Sequence, residues 1–217
     1  MTLVNDDRAA AEAVTAPVTD RAPKHSIAGA GRDNASRLTA SLAAAFYEDP
    51  VFRWFSPDDR RRGEMLPHFF DVFVEAYLSH GETYTDAAAA GGALWATPGT
   101  DPLSVKPVYA ERLEEITGID APRLFEIVEL LEANAPQQPH YHLQFLGVRP
   151  EQQGAGLGAA LMAPMLERCD RNGVPAYLEA TSDRNRALYE RHGFRARGDI
   201  PLPGGPALWR MWRDPIV

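Results

Sequence analysis

The stretch GVRPEQQGAGLGAALM, residues 147–162, places four glycines between an apolar run and a segment with helical periodicity. Glycine-rich turns that lead into a helix commonly bind phosphate, because free backbone N–H groups and the helix dipole both favour an anion. The stretch therefore predicts a ligand that carries phosphate. Three kinds of nucleotide site compete for it, and the surrounding residues distinguish between them.

Two of these sites fit the stretch poorly. A P-loop requires Gly-Lys-Ser/Thr, but Gly158 is followed by two alanines, which excludes a nucleoside triphosphatase site. The dinucleotide pattern G-x-G-x-x-A is matched from Gly154 to Ala159, and Glu179 follows as a candidate ribose ligand. However, the polar segment 149–153 separates the loop from its strand, and the remaining chain holds too few βα units. A dinucleotide site is therefore disfavoured.

The whole stretch resembles the coenzyme A loop of the GNAT superfamily of N-acetyltransferases, whose signature is Gln/Arg-x-x-Gly-x-Gly/Ala. The glycines permit the turn and let a pyrophosphate approach consecutive backbone N–H groups, while the Gln153 side chain adds a donor. The resemblance implies acetyl-CoA as co-substrate and no metal. It implies cofactor contacts at Leu146, Gly147, Val148, Gln153, Gly154, Ala155, Gly156, Leu157, Gly158 and Ala159.

A second segment, LEATSDRNRALYERHGF at 178–194, extends the resemblance. Asn185 and Tyr189 are four residues apart and share a helix face. In the family the Asn contacts the pantetheine arm, and the Tyr hydroxyl stands beside the thioester sulfur. The resemblance covers about residues 26–217 and is closest to the puromycin N-acetyltransferase type of actinobacteria, through GVPAYLEA, YERHGF and PLPGGP.

The order of the predicted elements indicates an α/β (α+β) fold with a mixed sheet. A strand and a first helix, which Pro50 is expected to end, precede a second helix and a hairpin. Two helical pieces, a strand at 141–148, a helix at about 155–172, a strand, a helix and a final hairpin follow. The resemblance implies that this central sheet splays at the cofactor site and is flanked by helices.

Composition divides the chain into a tail and one domain. Residues 1–25 have no sustained apolar period and predict a disordered N-terminal tail. Residues 26–217 are predicted to form the acetyltransferase domain, within which the helical insert 103–134 is a candidate lid.

Charge and cysteine content narrow the class of protein further. The chain has 217 residues and a net charge of −8, which argues against a general nucleic-acid binder. It has neither the apolar run of about 18 residues that a membrane span needs nor the basic-then-apolar start of a signal peptide. Cys169 is the only cysteine, so an intrachain disulfide and a zinc–thiolate cage are excluded. We expect a cytoplasmic protein without a membrane partner, either a monomer or a homodimer.

Acetyl transfer to an amine requires a base, because an ammonium group has no lone pair. His142 is the first candidate, since it lies six residues before Val148, the offset at which some GNAT enzymes place a base. The regular pleat of the strand predicts one face that carries His140, His142, Gln144, Leu146 and Val148. Glu179 is the alternative, either as the base, directly or through water, or as the group that holds the substrate ammonium. A third alternative is that His142 only lines the pocket.

The resemblance implies direct attack of the amine on the thioester, without a covalent acyl-enzyme. Tyr189 would act as general acid, and a backbone N–H near 146–148 would stabilise the oxyanion. Asp49, Phe52 and Trp54, just after the first helix, are candidate substrate contacts.

The predicted function is acetyl-CoA-dependent acetylation of a small-molecule amine, such as an antibiotic or another xenobiotic. Two alternatives stay open: acetylation of a protein lysine or N-terminus, and a non-catalytic sensor domain that binds acyl-CoA.

Overall fold

The computed structural model describes residues 25–216, which contain a seven-stranded mixed sheet in the order β1-β2-β3-β4-β5-β7-β6. The strands are β1 (Ile27–Gly29), β2 (Glu82–Asp86), β3 (Gly91–Ala96), β4 (Tyr141–Val148), β5 (Ala176–Ala180), β6 (Arg195–Pro201) and β7 (Ala207–Arg213). The helices are α1 (Ala35–Phe46), α2 (Pro50–Phe55), α3 (Asp59–His80), α4 (Pro107–Thr117), α5 (Ala121–Asn134), α6 (Leu157–Asn172) and α7 (Asp183–Glu190). This mixed sheet with flanking helices confirms the predicted fold class.

The sheet opens at its centre. All neighbouring strands are antiparallel except β4 and β5, which run parallel. These two pair only at Tyr141↔Ala176 and His142↔Tyr177, so they separate beyond His142. Because β3 pairs with the other edge of β4 as far as Val148, a wedge-shaped gap forms between β4 and β5.

A β-bulge interrupts β4 inside this gap. Leu94 of β3 pairs with Phe145, but the next residue, Trp95, pairs with Leu143. Gln144 is therefore an extra residue in β4, and an extra residue reverses the alternation of the side chains that follow it.

The bulge corrects one prediction about the faces of β4. Phe145 packs with α1 and α3, on the side of the sheet where His142 also lies. Leu146 and Val148 pack with α6 on the opposite side. The prediction that they share a face with His142 is wrong, because it assumed a regular pleat.

Helix α1 closely covers the face of β4 that carries Phe145. A Cβ at Gly147 would lie 2.8 Å from Leu42 and 3.0 Å from Phe46, both on α1. Glycine at this position lets the helix approach the strand and close one side of the gap.

The short helix α2 is not predicted from the sequence. Helix α1 ends at Phe46, before Pro50, and Pro50 is the first residue of α2. The Asp49 carboxylate caps α2 by accepting hydrogen bonds from the N–H groups of Val51 (2.9 Å) and Phe52 (3.3 Å). The prediction that Pro50 ends α1 is therefore wrong.

The predicted tail lies outside the described residues, apart from its last residue, His25. The two helices expected within 103–134 are α4 and α5. Across residues 25–216, none of the helices is both long enough and apolar enough to cross a membrane.

Candidate active site

A cavity of about 400 Å³ occupies the gap between β4 and β5 and extends beneath α5. It brings together six residues that the sequence predicts as functional, among them four polar ones: His142 of β4, Glu179 of β5, and Asn185 and Tyr189 of α7. The other two are Leu146 and Phe52. The four polar residues come from three elements, and the splay of the sheet exposes them to one space.

His142 and Glu179 form a hydrogen-bonded pair. The distance from His142 Nε2 to Glu179 Oε2 is 2.9 Å. The side chain of His142 is 25% exposed and that of Glu179 is 10% exposed, so the imidazole is the more accessible partner. The His142 ring also packs against Tyr177, its cross-strand neighbour.

Glu179 is ionised in this setting. Burial alone would raise the pKa of Glu179, but the charge of His142 and its hydrogen bond hold that pKa below its usual value. The carboxylate therefore accepts, and His142 Nε2–H donates. Through this bond Glu179 fixes the orientation of the imidazole.

Tyr189 lines the cavity with a protonated hydroxyl. Burial raises the pKa of Tyr189, and the nearby negative charge of Asp49 raises it further. A phenol that keeps its proton is the form required of a general acid.

Asp49 lies at the start of α2 and is not part of the cavity lining. Its Oδ2 accepts a hydrogen bond from Thr181 Oγ1 (2.5 Å), and Thr181 in turn accepts from Asn185 Nδ2 (3.4 Å). The Asp49 side chain thus joins the start of α2 to the start of α7. This positioning role differs from the substrate contact expected from the sequence.

The glycine loop leaves the N-terminus of α6 without a side-chain cap. Gly154 (φ +76°) and Gly156 (φ +91°) adopt left-handed conformations that favour glycine. Gly156 is the N-cap residue of α6 and has no side chain to satisfy the N–H groups of the first turn. Open space lies where a Cβ at either glycine would point. These donors and this space fit a pyrophosphate group.

The remaining predicted loop residues frame this site. Gln153 Nε2 donates to the Val148 carbonyl at 3.0 Å, which ties the loop back to β4. The Leu157 side chain is buried in the core, whereas Gly158 and Ala159 continue the first turn of α6.

His25 also reaches the glycine loop. Its Nε2 lies 3.0 Å from the Ala155 carbonyl. His25 was predicted to be the last residue of the N-terminal tail, and no motif around it predicts its contact with Ala155.

Of the two aromatic residues predicted to contact substrate, Phe52 lines the cavity and Trp54 does not. Phe52 is 7% exposed and lines the cavity. Trp54 lies outside the cavity lining: its Nε1 donates to the Pro203 carbonyl at 3.1 Å, and its ring covers Gly205. Trp54 therefore fastens the β6–β7 loop to α2.

Neither a thiol nucleophile nor a metal cluster is evident in the described part of the chain. Cys169 is fully buried in α6, and burial raises the pKa of its thiol to about 11. Within residues 25–216, no group of three or more His, Cys, Asp or Glu side chains could hold a metal ion.

Several cavity residues were missed by sequence reasoning. Tyr177 adds a polar group to the lining, and the Tyr77 hydroxyl donates to Gln144 at 3.3 Å. Asp101 and Glu132 also line the cavity. The alternation of β5 could have indicated Tyr177, but no local pattern marks the two acidic residues.

Comparisons with known proteins find acetyltransferases similar to this chain. Residues 104–194 match the model of the acetyltransferase (GNAT) family. An uncharacterised N-acetyltransferase of Schizosaccharomyces pombe is 28% identical over 179 residues, which cover 76% of this chain and 72% of that protein.

Solved structures share the fold. One described as histone acetyltransferase HPA2 and related acetyltransferase, from Corynebacterium glutamicum, has a TM-score of 0.68 and 27% identity, over 89% of this chain and 97% of that chain. A polyamine N-acetyltransferase of Drosophila melanogaster has a TM-score of 0.61 at 16% identity, over 87% and 99%. The chain is thus similar in sequence and in fold to GNAT acetyltransferases.

Proposed function

We propose that this chain, an acyltransferase with the GNAT fold, transfers the acetyl group of acetyl-CoA directly to the amine of a small molecule. The observation that carries the proposal is the hydrogen-bonded pair of His142 and Glu179, which shares one cavity with Tyr189. Acetyl transfer to an amine requires a base and an acid within reach of the same reacting atoms.

His142 acts as the base. Its Nε2–H is engaged by Glu179, and it has no second hydrogen-bond partner among residues 25–216, which leaves Nδ1 to take the amine proton. Glu179 acts as a positioning residue, because its charge stabilises the imidazolium that forms. Both candidates for the base, His142 and Glu179, therefore take part in the reaction, with Glu179 acting through His142.

The acid and the oxyanion donor complete the reaction. The amine nitrogen bonds to the thioester carbon, the C–S bond breaks, and Tyr189 gives its proton to the departing thiolate sulfur. The edge of β4 beyond His142, which β5 leaves unpaired, supplies a backbone N–H toward the carbonyl oxygen. The first turn of α6 holds the pyrophosphate of acetyl-CoA, with Asn185 near its pantetheine arm.

A small acceptor suits the cavity better than a protein segment does. Helices α1–α3 bound the space on one side and α5 covers it, so an extended chain has little room. The resemblance of the segments GVPAYLEA, YERHGF and PLPGGP to puromycin N-acetyltransferases favours an antibiotic or another xenobiotic as the acceptor, with residues 103–134 as its lid.

The proposal is tested by measuring CoA release and acetyl-CoA binding in parallel. The protein is incubated with acetyl-CoA and a panel of amines, and free thiol is followed with and without each amine. Amine-dependent release is expected. Tight binding of acetyl-CoA without turnover on any amine would instead indicate a sensor, and turnover only on lysine peptides would indicate a protein acetyltransferase.

A further inference from the structure

The walls of the cavity are rich in phenylalanine. Six of the nine phenylalanines of the chain line it: Phe46, Phe52, Phe55, Phe69, Phe73 and Phe145. They come from α1, α2, α3 and β4 and form one aromatic cluster, with ring centroids 4.9 Å apart for both Phe69–Phe73 and Phe73–Phe145. A ligand that enters this space meets hydrocarbon on a large part of its surface.

Helix α5 adds a second apolar wall. Leu124, Ile127, Val128 and Leu131 line the cavity, at the spacing of one helix face. Only Ala121 of this 14-residue helix is buried. The apolar face of α5 is partly buried against the core and also lines the cavity.

The cavity lining contains acidic side chains but no lysine or arginine among the described residues. Asp101, Glu132 and Glu179 line the cavity, and neither lysine nor arginine occurs among its described lining residues. Glu179 is largely buried, whereas Asp101 and Glu132 are solvent-exposed and therefore mark the rim. An acidic rim attracts cations and repels anions.

The Tyr177 hydroxyl is a buried polar group at the cavity wall. Tyr177 is 2% exposed, and its hydroxyl lies beside the Glu179 carboxylate, whose pKa it helps to lower. Tyr177 lines the cavity beside His142, and its oxygen can accept a hydrogen bond from an N–H of a bound amine.

We infer that the acceptor is an amine that is cationic in solution and carries a bulky apolar body, recruited by Asp101 and Glu132 and held by the phenylalanine cluster and α5. This inference rests on the proposed function and specifies its acceptor. The ammonium passes the acidic rim, the apolar body fills the aromatic space, and the amine comes to lie near Tyr177 and His142. Polycations such as spermidine fit poorly, because their further charges would lie against hydrocarbon.

The apolar part of the inference is tested with two acceptors that share the reacting group. The value of kcat/KM is measured for 2-phenylethylamine and for ethylamine, with spermidine as a third acceptor. Burial of the phenyl ring should favour 2-phenylethylamine over ethylamine by about 30-fold or more. Equal values, or a preference for spermidine, would overturn the inference while leaving the proposed function intact. Turnover on no amine would instead refute the proposed function.

The rim is tested with the double variant Asp101→Asn/Glu132→Gln. For 2-phenylethylamine, KM should rise about 3- to 10-fold at low salt, and the effect should fade as ionic strength increases. For aniline, which is neutral at the assay pH, KM should stay within about 2-fold, because the acceptor then has no charge for the rim to attract.

A matched control variant removes two negative charges at positions outside the cavity. The variant Glu64→Gln/Glu167→Gln changes two exposed positions outside the cavity and should leave both KM values unchanged. Equal effects of the rim variant on both acceptors, or no effect on either, would contradict a recruiting role for Asp101 and Glu132.

Discussion

At the scale of single residues, the chemistry depends on which proton each side chain holds. Glu179 is a buried carboxylate that stays charged because His142 lies 2.9 Å away. Tyr189 is a buried phenol that stays neutral because burial and Asp49 both oppose its ionisation. One cavity thus contains a carboxylate hydrogen-bonded to the proposed base and a neutral phenol that is the proposed general acid.

The Tyr189→Phe variant removes only the acidic proton and keeps the ring, which packs against Phe194. We expect kcat to fall by about 10²–10⁴, as is typical when a general acid is lost. Acetyl-CoA affinity, measured by calorimetry, should change little, because the proposed pyrophosphate site is the glycine loop and the first turn of α6. An unchanged kcat would remove Tyr189 from the mechanism.

The His142→Ala and Glu179→Gln variants separate the base from its positioning residue. His142→Ala should abolish the acidic limb of the pH profile of kcat/KM. Glu179→Gln should keep that limb but lower kcat, because the imidazole loses the carboxylate that orients it. The assignment would have to be reversed if the limb survived in His142→Ala and disappeared in Glu179→Gln.

At the scale of secondary-structure elements, the turn into α6 decides where a phosphate can bind. Gly156 stands in the left-handed region at φ +91°, whereas Gly158 is already helical. A Cβ at Gly158 would meet Leu188 at an ordinary 3.7 Å. The two glycines look alike in the sequence, but only Gly156 requires the conformational freedom of glycine.

This contrast makes Gly156→Ala and Gly158→Ala a matched pair. Alanine at 156 is strained by about 1–2 kcal/mol in the left-handed region, so the turn should rearrange and KM for acetyl-CoA should rise about 10-fold. Alanine at 158 favours the helix and should leave KM within about 2-fold. Initial-rate kinetics with acetyl-CoA as the varied substrate test both. Equal effects at the two positions would contradict this account of the loop.

Sequence patterns predicted some of the secondary-structure elements and missed others. The bounds of β4, 141–148, were predicted correctly, because an apolar run between turn signals identifies a strand. The bulge at Gln144 was missed, since side-chain alternation assumes a regular pleat and the extra residue is visible only in the pairing with β3. Helix α2 was missed because Pro50 was interpreted only as a helix stop, although Asp-Pro also fits an N-cap and first turn.

At the scale of the whole molecule, the site depends on contacts that no local pattern contains. His142 and Glu179 could be proposed separately from their strands, but their hydrogen bond follows from the parallel pairing of β4 with β5. Asp101 and Glu132 belong to a loop and a helix that meet only in the folded chain. The fold class and the glycine loop could therefore be predicted from the sequence. Among the aromatic and acidic residues that line the cavity around the proposed acceptor, Phe52 was predicted, whereas Asp101 and Glu132 were not.

An ion pair between the buried Arg213 and the partly exposed Asp170 links distant parts of this molecule. Arg213 of β7 donates two hydrogen bonds of 2.8 Å to the carboxylate of Asp170 on α6, and its Nε donates to the His192 carbonyl. The Arg213 side chain is 5% exposed, so loss of its partner would leave a buried charge. Arg213 holds the pKa of Asp170 below its usual value.

Asp170→Asn should therefore lower the free energy of unfolding by about 1–3 kcal/mol at pH 7, measured by urea denaturation. Because the pKa of Asp170 is lowered on folding, its contribution is present above the unfolded pKa and is lost as pH falls through the folded pKa. The difference between variant and wild type should thus shrink below about pH 4. The control Glu167→Gln removes an exposed carboxylate of α6 and should change stability little. A pH-independent difference would contradict the ion-pair explanation.

The most direct test of the central claim is mass spectrometry of the products formed from acetyl-CoA with a deuterated acetyl group and 2-phenylethylamine. The account predicts one N-acetylated amine carrying the deuterated acetyl group for each CoA released, and a protein of unchanged mass. CoA release without the amide, or a stable acetyl group on the protein, would contradict direct transfer to a small amine.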